Sequence, residues 1–141
     1  DRLHTRLISD YQGVVNSMPK FATLMVFFAL ANAAVPGTSG FVGEFTVILA
    51  SFRINIWVAF FAAITLIIGA VYSLWLVKRV IFGKPLNERI SGMQEMTMIE
   101  ALPLIILALL VLTLGLWPAP LVEIMSMSIE NLVNHITFSK L

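Results

Sequence analysis

Long apolar runs separated by short polar segments dominate the chain, and the first run is too long for one straight membrane helix. Only one charged residue occurs among the thirty-two positions from Phe21 to Phe52. A continuous helix of that length would extend about 48 Å, whereas the hydrocarbon core of a bilayer is about 30 Å thick. We therefore predict one discontinuous crossing over 21–52, with half-helices at 21–34 and 41–52. The helix break between them combines a proline, two glycines and two hydroxyls: Val35, Pro36, Gly37, Thr38, Ser39 and Gly40.

Two further apolar runs each have the length of a straight transmembrane helix. The run at 54–77 ends at two basic residues and carries a stripe of mostly small side chains, which lets a second helix approach closely. The run at 97–117 begins with a capping-box pattern at Thr97 and Glu100. A polar loop at 78–96 joins the two runs. The stripe consists of Ala59, Ala62, Leu66, Gly69 and Ser73.

The two ends of the chain are less apolar than these spans. Residues 1–20 mix charged and apolar positions, which predicts a lead-in outside the membrane. Residues 120–137 place apolar and polar side chains on opposite helical faces, as in a helix that lies in the membrane interface. The fold predicted from this pattern is an all-α membrane protein with three transmembrane helices, the first discontinuous, plus a C-terminal amphipathic helix.

Composition agrees with a membrane protein and argues against other classes. Charged residues make up 12% of the chain, against about 25% in a soluble domain, and the mean hydropathy is +0.93. A net charge of +1 argues against a nucleic-acid partner. Without cysteine, and with two isolated histidines, we expect no disulfide and no metal site. The chain starts at Asp1 without an initiator methionine, so we expect it to belong to a longer protein.

The distribution of basic residues predicts the orientation in the membrane. Seven of the nine Lys and Arg lie in the lead-in and the 78–96 loop, which share one side of a three-crossing chain, whereas Arg53 and Lys140 lie opposite. Loops rich in Lys and Arg stay in the cytoplasm. We therefore predict that the lead-in is cytoplasmic and that the C-terminus is on the opposite side, which in a bacterial inner membrane is the periplasmic side.

Glu44 is the charged residue inside the first crossing. Nine residues of helix place it about 13 Å inward of Arg53, near the middle of a ~30 Å core. An ionisable group at that depth costs a few kcal/mol, and such groups commonly lie on ion or proton routes. A position in the first turn after the break would favour its carboxylate form, and burial would oppose it. Glu44 is therefore our candidate proton relay, with a structural hydrogen-bond partner for a neighbouring helix as the alternative.

Other polar side chains in the apolar runs are candidates for a water path to this carboxylate. The hydroxyls of Thr38 and Ser39 belong to the break itself. For Asn32, Thr65, Tyr72 and Ser73 the alternative is a bond to a backbone carbonyl or to a neighbouring helix, as lone hydroxyls in membrane helices often make. A phosphate-binding loop is disfavoured, because the glycine spacing differs from the dinucleotide fingerprint and no lysine follows. The remaining candidates for the water path are Asn32, Thr65, Tyr72 and Ser73.

Three sequence strings carry a resemblance to a known family. DRLHTRLISDYQGV, LANAAVPGTSGFVGEF and YSLWLVKRVIFGK occur in this order and spacing. Together they resemble the C-terminal region of the antiporter-like membrane subunits of proton-pumping NADH:quinone oxidoreductase, respiratory complex I. Within that group the M type, equivalent to subunit 4 of the mitochondrial enzyme, has Glu in PGTSGFVGEF where the L and N types generally have Lys. Glu44 occupies that position, so the resemblance selects the M type.

The resemblance implies a fold and a function. The three crossings would be the family's last three membrane helices, and the broken one its discontinuous helix. Glu44 would be the last group in a chain of buried lysines and glutamates that passes protons outward. The implied partners are the other membrane-arm subunits and the lipid bilayer. The chain would act as part of a translocase without a redox site of its own, and no flavin, iron–sulfur cluster or nicotinamide cofactor is expected in it.

Two other functions share much of this pattern. A subunit of a multi-subunit cation/proton antiporter, or of a membrane-bound hydrogenase, would have the same broken helix and different partners. A structural scaffold bundle would use Glu44 as a fixed hydrogen-bond partner.

Overall fold

Helices make up all of the regular structure that is described. The structure is a computed structural model that describes residues 7–83, 90 and 92–138. Two short 3-10 turns, Ile8–Asp10 and Val14–Asn16, precede the α-helices, and no strand occurs in the described ranges. The predicted all-α class is confirmed. The α-helices are α1 (Pro19–Asn32), α2 (Ser39–Ile54), α3 (Ile56–Val80), α4 (Met98–Leu116) and α5 (Ala119–Phe138).

Helices α1 and α2 lie one after the other along the antiparallel helix α3. Ala22, early in α1, belongs to the same packed cluster as Val80, near the end of α3. Asn32, the last residue of α1, hydrogen-bonds Ser73, and α2 shares a groove with Thr65. The residue numbers of the contact positions on α3 therefore decrease as those on α1 and α2 increase. This is the order expected for two halves of one discontinuous element.

The bounds of two helices differ from the predicted ones. Helix α2 begins at Ser39, so Ser39 and Gly40 are helical, although the sequence placed both in the unwound segment. The reason is that Thr38, in extended backbone (φ −108°, ψ 156°), already provides the N-cap. Helix α3 continues to Val80, so Lys78 and Arg79 form its last turn, where cations interact favourably with the helix dipole.

The capping box predicted for the third span is present at the start of α4. The Glu100 N–H donates to Thr97 Oγ1 (3.4 Å), and the Thr97 N–H donates to Glu100 Oε2 (2.8 Å). Parts of the two polar segments lie outside the described residues. These parts are residues 1–6 of the lead-in, which include His4, and residues 84–89 and 91 of the loop.

A small packed core closes the lead-in end of the helices. Its most buried members, Val14 and Ile81, are 2% and 0% exposed. Burial of such side chains stabilises the fold by roughly 1.5–3 kcal/mol each. The core therefore anchors the lead-in turns to α1, α3 and α4. Its buried residues are Val14, Met18, Ala22, Val77, Val80, Ile81, Met96 and Ala101.

Helices α3 and α4 are each long and apolar enough to cross a bilayer, and both present apolar side chains outward. Trp57, for example, is 67% exposed. The accessible surface of the chain is 10,685 Å², whereas a compact soluble protein of this mass would have about 7,250 Å². Exposed apolar area of this extent is characteristic of a surface covered by lipid or by other protein. The membrane class predicted from the sequence is therefore confirmed.

Candidate functional site

Helix α1 ends in a Schellman motif, which closes the first half of the broken element. The Val35 N–H donates to the Leu30 carbonyl (3.2 Å), and the Ala34 N–H donates to the Ala31 carbonyl (3.2 Å). These two bonds satisfy carbonyls that the end of a helix leaves without partners. Pro36 follows the motif directly and prevents the helix from continuing. The break is thus a hydrogen-bonded structure with a defined shape.

The backbone at the break turns through two residues with positive φ. Ala34 has φ 53° and Gly37 has φ 94°. Glycine adopts this region freely, but for an alanine the left-handed conformation costs roughly 1–2 kcal/mol. Ala34 is 4% exposed, so its methyl group contributes packing that offsets part of this strain. The sequence pointed to Gly37 and missed Ala34, because nothing local marks an alanine as left-handed.

Thr38 uses its hydroxyl inside the break. Its Oγ1 donates to the Val35 carbonyl (2.8 Å), its N–H bonds the same carbonyl (3.2 Å), and the residue is 6% exposed. The Thr38 side chain does not cap the N-terminus of α2. The Thr38 hydroxyl therefore donates within the break, and its oxygen lone pairs stay available as acceptors.

Two glycines allow other helices to pack directly against the break. A Cβ on Gly40 would overlap the Ala31 carbonyl oxygen, so α1 and α2 touch backbone to backbone. A Cβ on Gly115, in the last turn of α4, would overlap the backbone of Gly37 and Thr38. The sequence offered Gly40 as part of the break. It gave only a weak signal for Gly115, a lone glycine in an apolar run.

Glu44 lines a groove between α2 and α3 just beyond the break. The groove has a volume of about 310 Å³. Its polar members are Ser39 and Glu44 from α2 and Thr65 from α3, and the remainder are Gly40, Gly43, Val47, Ile48 and Ala62. The structure therefore brings the candidate carboxylate to two of the candidate hydroxyl residues.

Glu44 lies in the second turn of α2, which corrects its predicted place in the first turn. The helix starts at Ser39, two residues earlier than predicted, so no acidic residue occupies its first turn. The N–H groups that have no intrahelical partner belong to the first four positions, Ser39 to Val42. The helix dipole acts on Glu44 less strongly than predicted, because its influence falls off within the first turn.

The Glu44 side chain is exposed in this chain and accepts no hydrogen bond from any described residue. Within this part of the protein, nothing holds the carboxylate in one orientation. Thr65 across the groove donates its hydroxyl to the Ala62 carbonyl (2.6 Å), and it keeps its oxygen lone pairs available as acceptors. The groove can therefore hold a protonated carboxyl or solvent beside an acceptor.

Three other water-path candidates form a separate cluster on the α1 side of the break. Asn32 Nδ2 donates to Tyr72 Oη (3.0 Å) and to Ser73 Oγ (2.8 Å). Ser73 is 3% exposed, so its hydroxyl would be costly to leave without a partner. Eight residues of α3 separate Ser73 from Thr65, a rise of about 12 Å. The four candidates thus divide into two groups, with the break between them.

A carboxylate that the sequence analysis passed over caps the start of α1. Glu95 accepts from the Lys20 N–H through Oε2 (3.0 Å) and from the Met96 N–H through Oε1 (2.9 Å). Partial burial works against the charged form, but the backbone N–H groups of Lys20, Met96 and Phe21 outweigh it and, with the Lys20 ammonium, lower the pKa of Glu95 below its ordinary value. A loop carboxylate seventy-five residues away in sequence gives no local signal.

No cluster of three or more metal-binding side chains occurs among residues 7–83, 90 and 92–138. His135 lies on α5. Glu44 is the one carboxylate in the described helices α1, α2 and α3.

Comparison with known proteins finds a family whose sequences resemble the first half of this chain. Residues 1–69 match the family described as NADH:quinone oxidoreductase/Mrp antiporter, TM. This segment contains α1, the break and α2 with Glu44. The match therefore covers the segment that contains the helix break and the groove at Glu44.

The individual relatives are all subunit M or chain 4 proteins. Over 135 residues the chain is 42% identical to NADH-quinone oxidoreductase subunit M of Rhodobacter capsulatus, covering 96% of this chain and 26% of that protein. It is 41% identical to NADH-ubiquinone oxidoreductase chain 4 of Marchantia polymorpha over 96% of this chain and 27% of that one. The Arabidopsis thaliana chain 4 is 39% identical with the same coverage. The resemblance to the M type is confirmed, and the chain spans about a quarter of the length of these relatives.

Proposed function

We propose that this chain is the C-terminal part of a proton-translocating membrane-arm subunit of NADH:quinone oxidoreductase and that Glu44 is its relay carboxylate. The observation that carries the proposal is a carboxylate in a groove with two hydroxyl residues, directly beyond a hydrogen-bonded helix break. The names of the similar proteins support the assignment to this complex. The chain would contribute to the enzyme as part of its translocase and hold no redox group.

The open side of the groove fits a longer protein. Glu44 is exposed here, and the matched relatives are almost four times as long as this chain. We infer that other helices of the subunit, together with neighbouring membrane-arm subunits and lipid, cover the groove. The basic-residue asymmetry supports an inner-membrane location with the lead-in cytoplasmic and the C-terminus periplasmic.

The proposed mechanism is electrostatic. A charge that moves along the membrane arm changes the field at Glu44 and so shifts the balance between its protonated and ionised forms. Glu44 then releases a proton outward and is reloaded from an inner lysine of the longer chain. The groove suits this role because no described residue fixes the carboxylate by a hydrogen bond.

The test replaces Glu44 by Gln in the full-length subunit of the intact complex. We expect NADH-driven proton translocation to be abolished or strongly reduced while the complex still assembles, because the amide keeps the shape and loses the titrating group. Glu130→Gln, on exposed α5, is the matched control and should pump normally. Wild-type rate and proton-to-electron stoichiometry in Glu44→Gln would refute the relay.

Glu44→Lys separates charge relay from a fixed structural role. The sister L and N types generally carry Lys at this position, so partial pumping is expected from a charge relay. A structural role is tested in the wild-type complex, where it predicts that no infrared band of the Glu44 carboxyl changes during turnover.

A second function, a subunit of a multi-subunit cation/proton antiporter, has one specific observation in its favour: the matched family description names both kinds of protein. Copurification decides between them. Peripheral quinone-reductase subunits purified with the full-length protein support complex I, whereas other antiporter subunits, or those of a membrane-bound hydrogenase, support the alternatives.

A further inference from the structure

A second cleft lies at the opposite end of α3 from the groove at Glu44. It has a volume of about 310 Å³, at the lower end of the range for ligand pockets, about 300–1,000 Å³. One wall is formed by the lead-in residues Ile8, Ser9 and Gln12, and the other by Lys78 and Arg79 in the last turn of α3. This set of five residues is called the basic cleft below.

The lead-in wall is held against the end of α3 by backbone hydrogen bonds and packing. The Val15 N–H donates to the Ile81 carbonyl (3.1 Å), and Asn16 Nδ2 donates to the Gly83 carbonyl (3.1 Å). Val14 and Ile81 are both buried beside these bonds. The two walls are therefore fixed relative to each other, although more than sixty residues of sequence separate them.

Gln12 is positioned by the chain beyond α3. Gly83 has φ 111°, and a Cβ there would stand 2.8 Å from Gln12 Nε2. The Gln12 carboxamide thus packs against a backbone that only glycine provides at this φ. Gln12 lines the basic cleft together with Lys78 and Arg79.

The charges of the basic cleft have one sign. Lys78 and Arg79 are cationic, Ser9 and Gln12 are neutral hydrogen-bonding groups, and none of the described lining residues is a carboxylate. Asp10 lies next in sequence and accepts from Ser9 Oγ (3.2 Å) without lining the cleft. The Arg79 guanidinium lies 4.7 Å from the centre of the Trp75 ring, and tryptophan is enriched where a membrane meets water.

We propose that the basic cleft binds a phosphate group, and that in the membrane this is the phosphate of an anionic phospholipid headgroup. Arg and Lys are the side chains that bind phosphate oxygens most strongly, and the Gln12 carboxamide adds neutral N–H donors. A headgroup would enter from the interface that Trp75 marks, and its acyl chains would lie on the exposed apolar side of α3. The proposal is independent of the role of Glu44.

Basic residues at the end of a membrane helix, such as Lys78 and Arg79 at the end of α3, also have a general explanation that involves no ligand. Cations near a helix C-terminus interact with the helix dipole, and cytoplasmic ends are rich in Lys and Arg. Neither effect requires an opposing wall. The fixed lead-in segment, with its neutral donors facing the same cleft, is the feature that points to a ligand.

The experiment uses the intact complex in nanodiscs of phosphatidylcholine that contain a small fraction of photoactivatable phosphatidylglycerol. Crosslinks to the full-length subunit are mapped by mass spectrometry. We expect labelling of the peptides that contain Ser9 and Gln12 or the end of α3. In Lys78→Gln/Arg79→Gln that labelling should fall by on the order of tenfold or more, since each basic residue near a membrane contributes about fivefold to the binding of anionic lipid.

Two further variants keep the result interpretable. Arg53→Gln removes one positive charge at the end of α2, outside the basic cleft, and should label as the wild type does. Gln12→Glu keeps both cations and the side-chain size but adds a carboxylate to the cleft, so labelling should fall although the complex assembles. Equal labelling in all of these variants would overturn the proposal.

A second arm distinguishes a lipid from a soluble anion. In pure phosphatidylcholine nanodiscs, inorganic phosphate is added and the thermal stability of the subunit is measured. A phosphate-dependent shift in the wild type that is lost in Lys78→Gln/Arg79→Gln would assign the cleft to soluble phosphate. Labelling without that shift assigns the cleft to the lipid headgroup. The absence of both the labelling and the shift would refute phosphate binding.

Discussion

Gly40 and Ala31 meet across the helix break with no room for a side chain between them, since a Cβ on Gly40 would overlap the Ala31 carbonyl oxygen. This contact sets how closely α2 follows α1. Because the obstacle is backbone, it can yield only if one of the half-helices moves.

We expect Gly40→Ala to lower the free energy of unfolding of the full-length subunit by roughly 1–3 kcal/mol, the usual cost of overpacking a close contact. Gly43→Ala is the matched control, because a Cβ at Gly43 meets nothing within 4 Å. There the better helix propensity of alanine should leave stability unchanged or raise it by up to about 1 kcal/mol. Reversible unfolding in mixed micelles measures both variants, and equal effects of the two would contradict the close contact.

Ala34 stores strain that glycine would remove. We expect Ala34→Gly to leave the stability unchanged or raise it by up to about 1 kcal/mol, because relief of the left-handed conformation exceeds or balances the entropy that glycine adds to the unfolded chain. In the α1 interior the same change, Ala29→Gly, should lower stability by about 1 kcal/mol or more. The same unfolding measurement applies. A large loss in Ala34→Gly would show that the buried methyl group outweighs the strain.

The hydrogen bond between Asn32 and Ser73 joins α1 to α3 beside the break. Ser73→Ala should cost about 1 kcal/mol, as should Asn32→Ala, because each leaves a polar partner unsatisfied. A double-mutant cycle on unfolding free energies should give a coupling of about 0.5–1.5 kcal/mol. Thr65→Ala with Asn32→Ala is the control pair, since Thr65 bonds only within its own helix in the described residues. Additive costs for Asn32 and Ser73 would rule out the interaction.

Glu95 makes the docking of the loop on α1 dependent on pH. A carboxyl whose pKa is lower in the folded state contributes stability that is fully present above its unfolded pKa and is lost as pH falls through its folded pKa. The pKa of Glu95 is lowered by the N–H groups it accepts from. We therefore expect the loop's protection from proteolysis to decrease with acidification below the ordinary carboxyl range.

Glu95→Gln removes this dependence. At neutral pH the variant should show weaker protection than the wild type, and the difference between the two should vanish in acid. Glu123→Gln, on exposed α5, serves as the control and should follow the wild type at every pH. A wild-type–variant difference that stays constant across the acid range would contradict the capping role.

Much of the candidate site could be predicted because its signals are local. Pro36 and Gly37 mark the break, and Thr97 and Glu100 mark the start of α4. An apolar run of more than thirty residues is too long for one straight transmembrane helix. Glu44 drew attention because a charge in such a run is costly. Each of these inferences needs only a few neighbouring residues.

The start of α2 was predicted two residues late, because glycine and serine are weak helix formers and Gly40 is read as part of the break. In the structure, the close approach to Ala31 is possible only without a Cβ, and the helix that contains Gly40 starts at Ser39, directly after the extended Thr38. The weak helix propensity of these residues is therefore outweighed by the packing between α1 and α2.

What the sequence by itself determined is the class: apolar runs of membrane length, one helix break and a carboxylate close to it follow from composition, period and helix-breaking residues along a single segment. Only the tertiary structure decided the pairings. It joined Asn32 to Ser73, Glu44 to the groove with Thr65, and Lys78 to the lead-in wall. These pairs lie far apart in sequence, and their approach depends on how whole helices pack, which no local pattern of residues encodes.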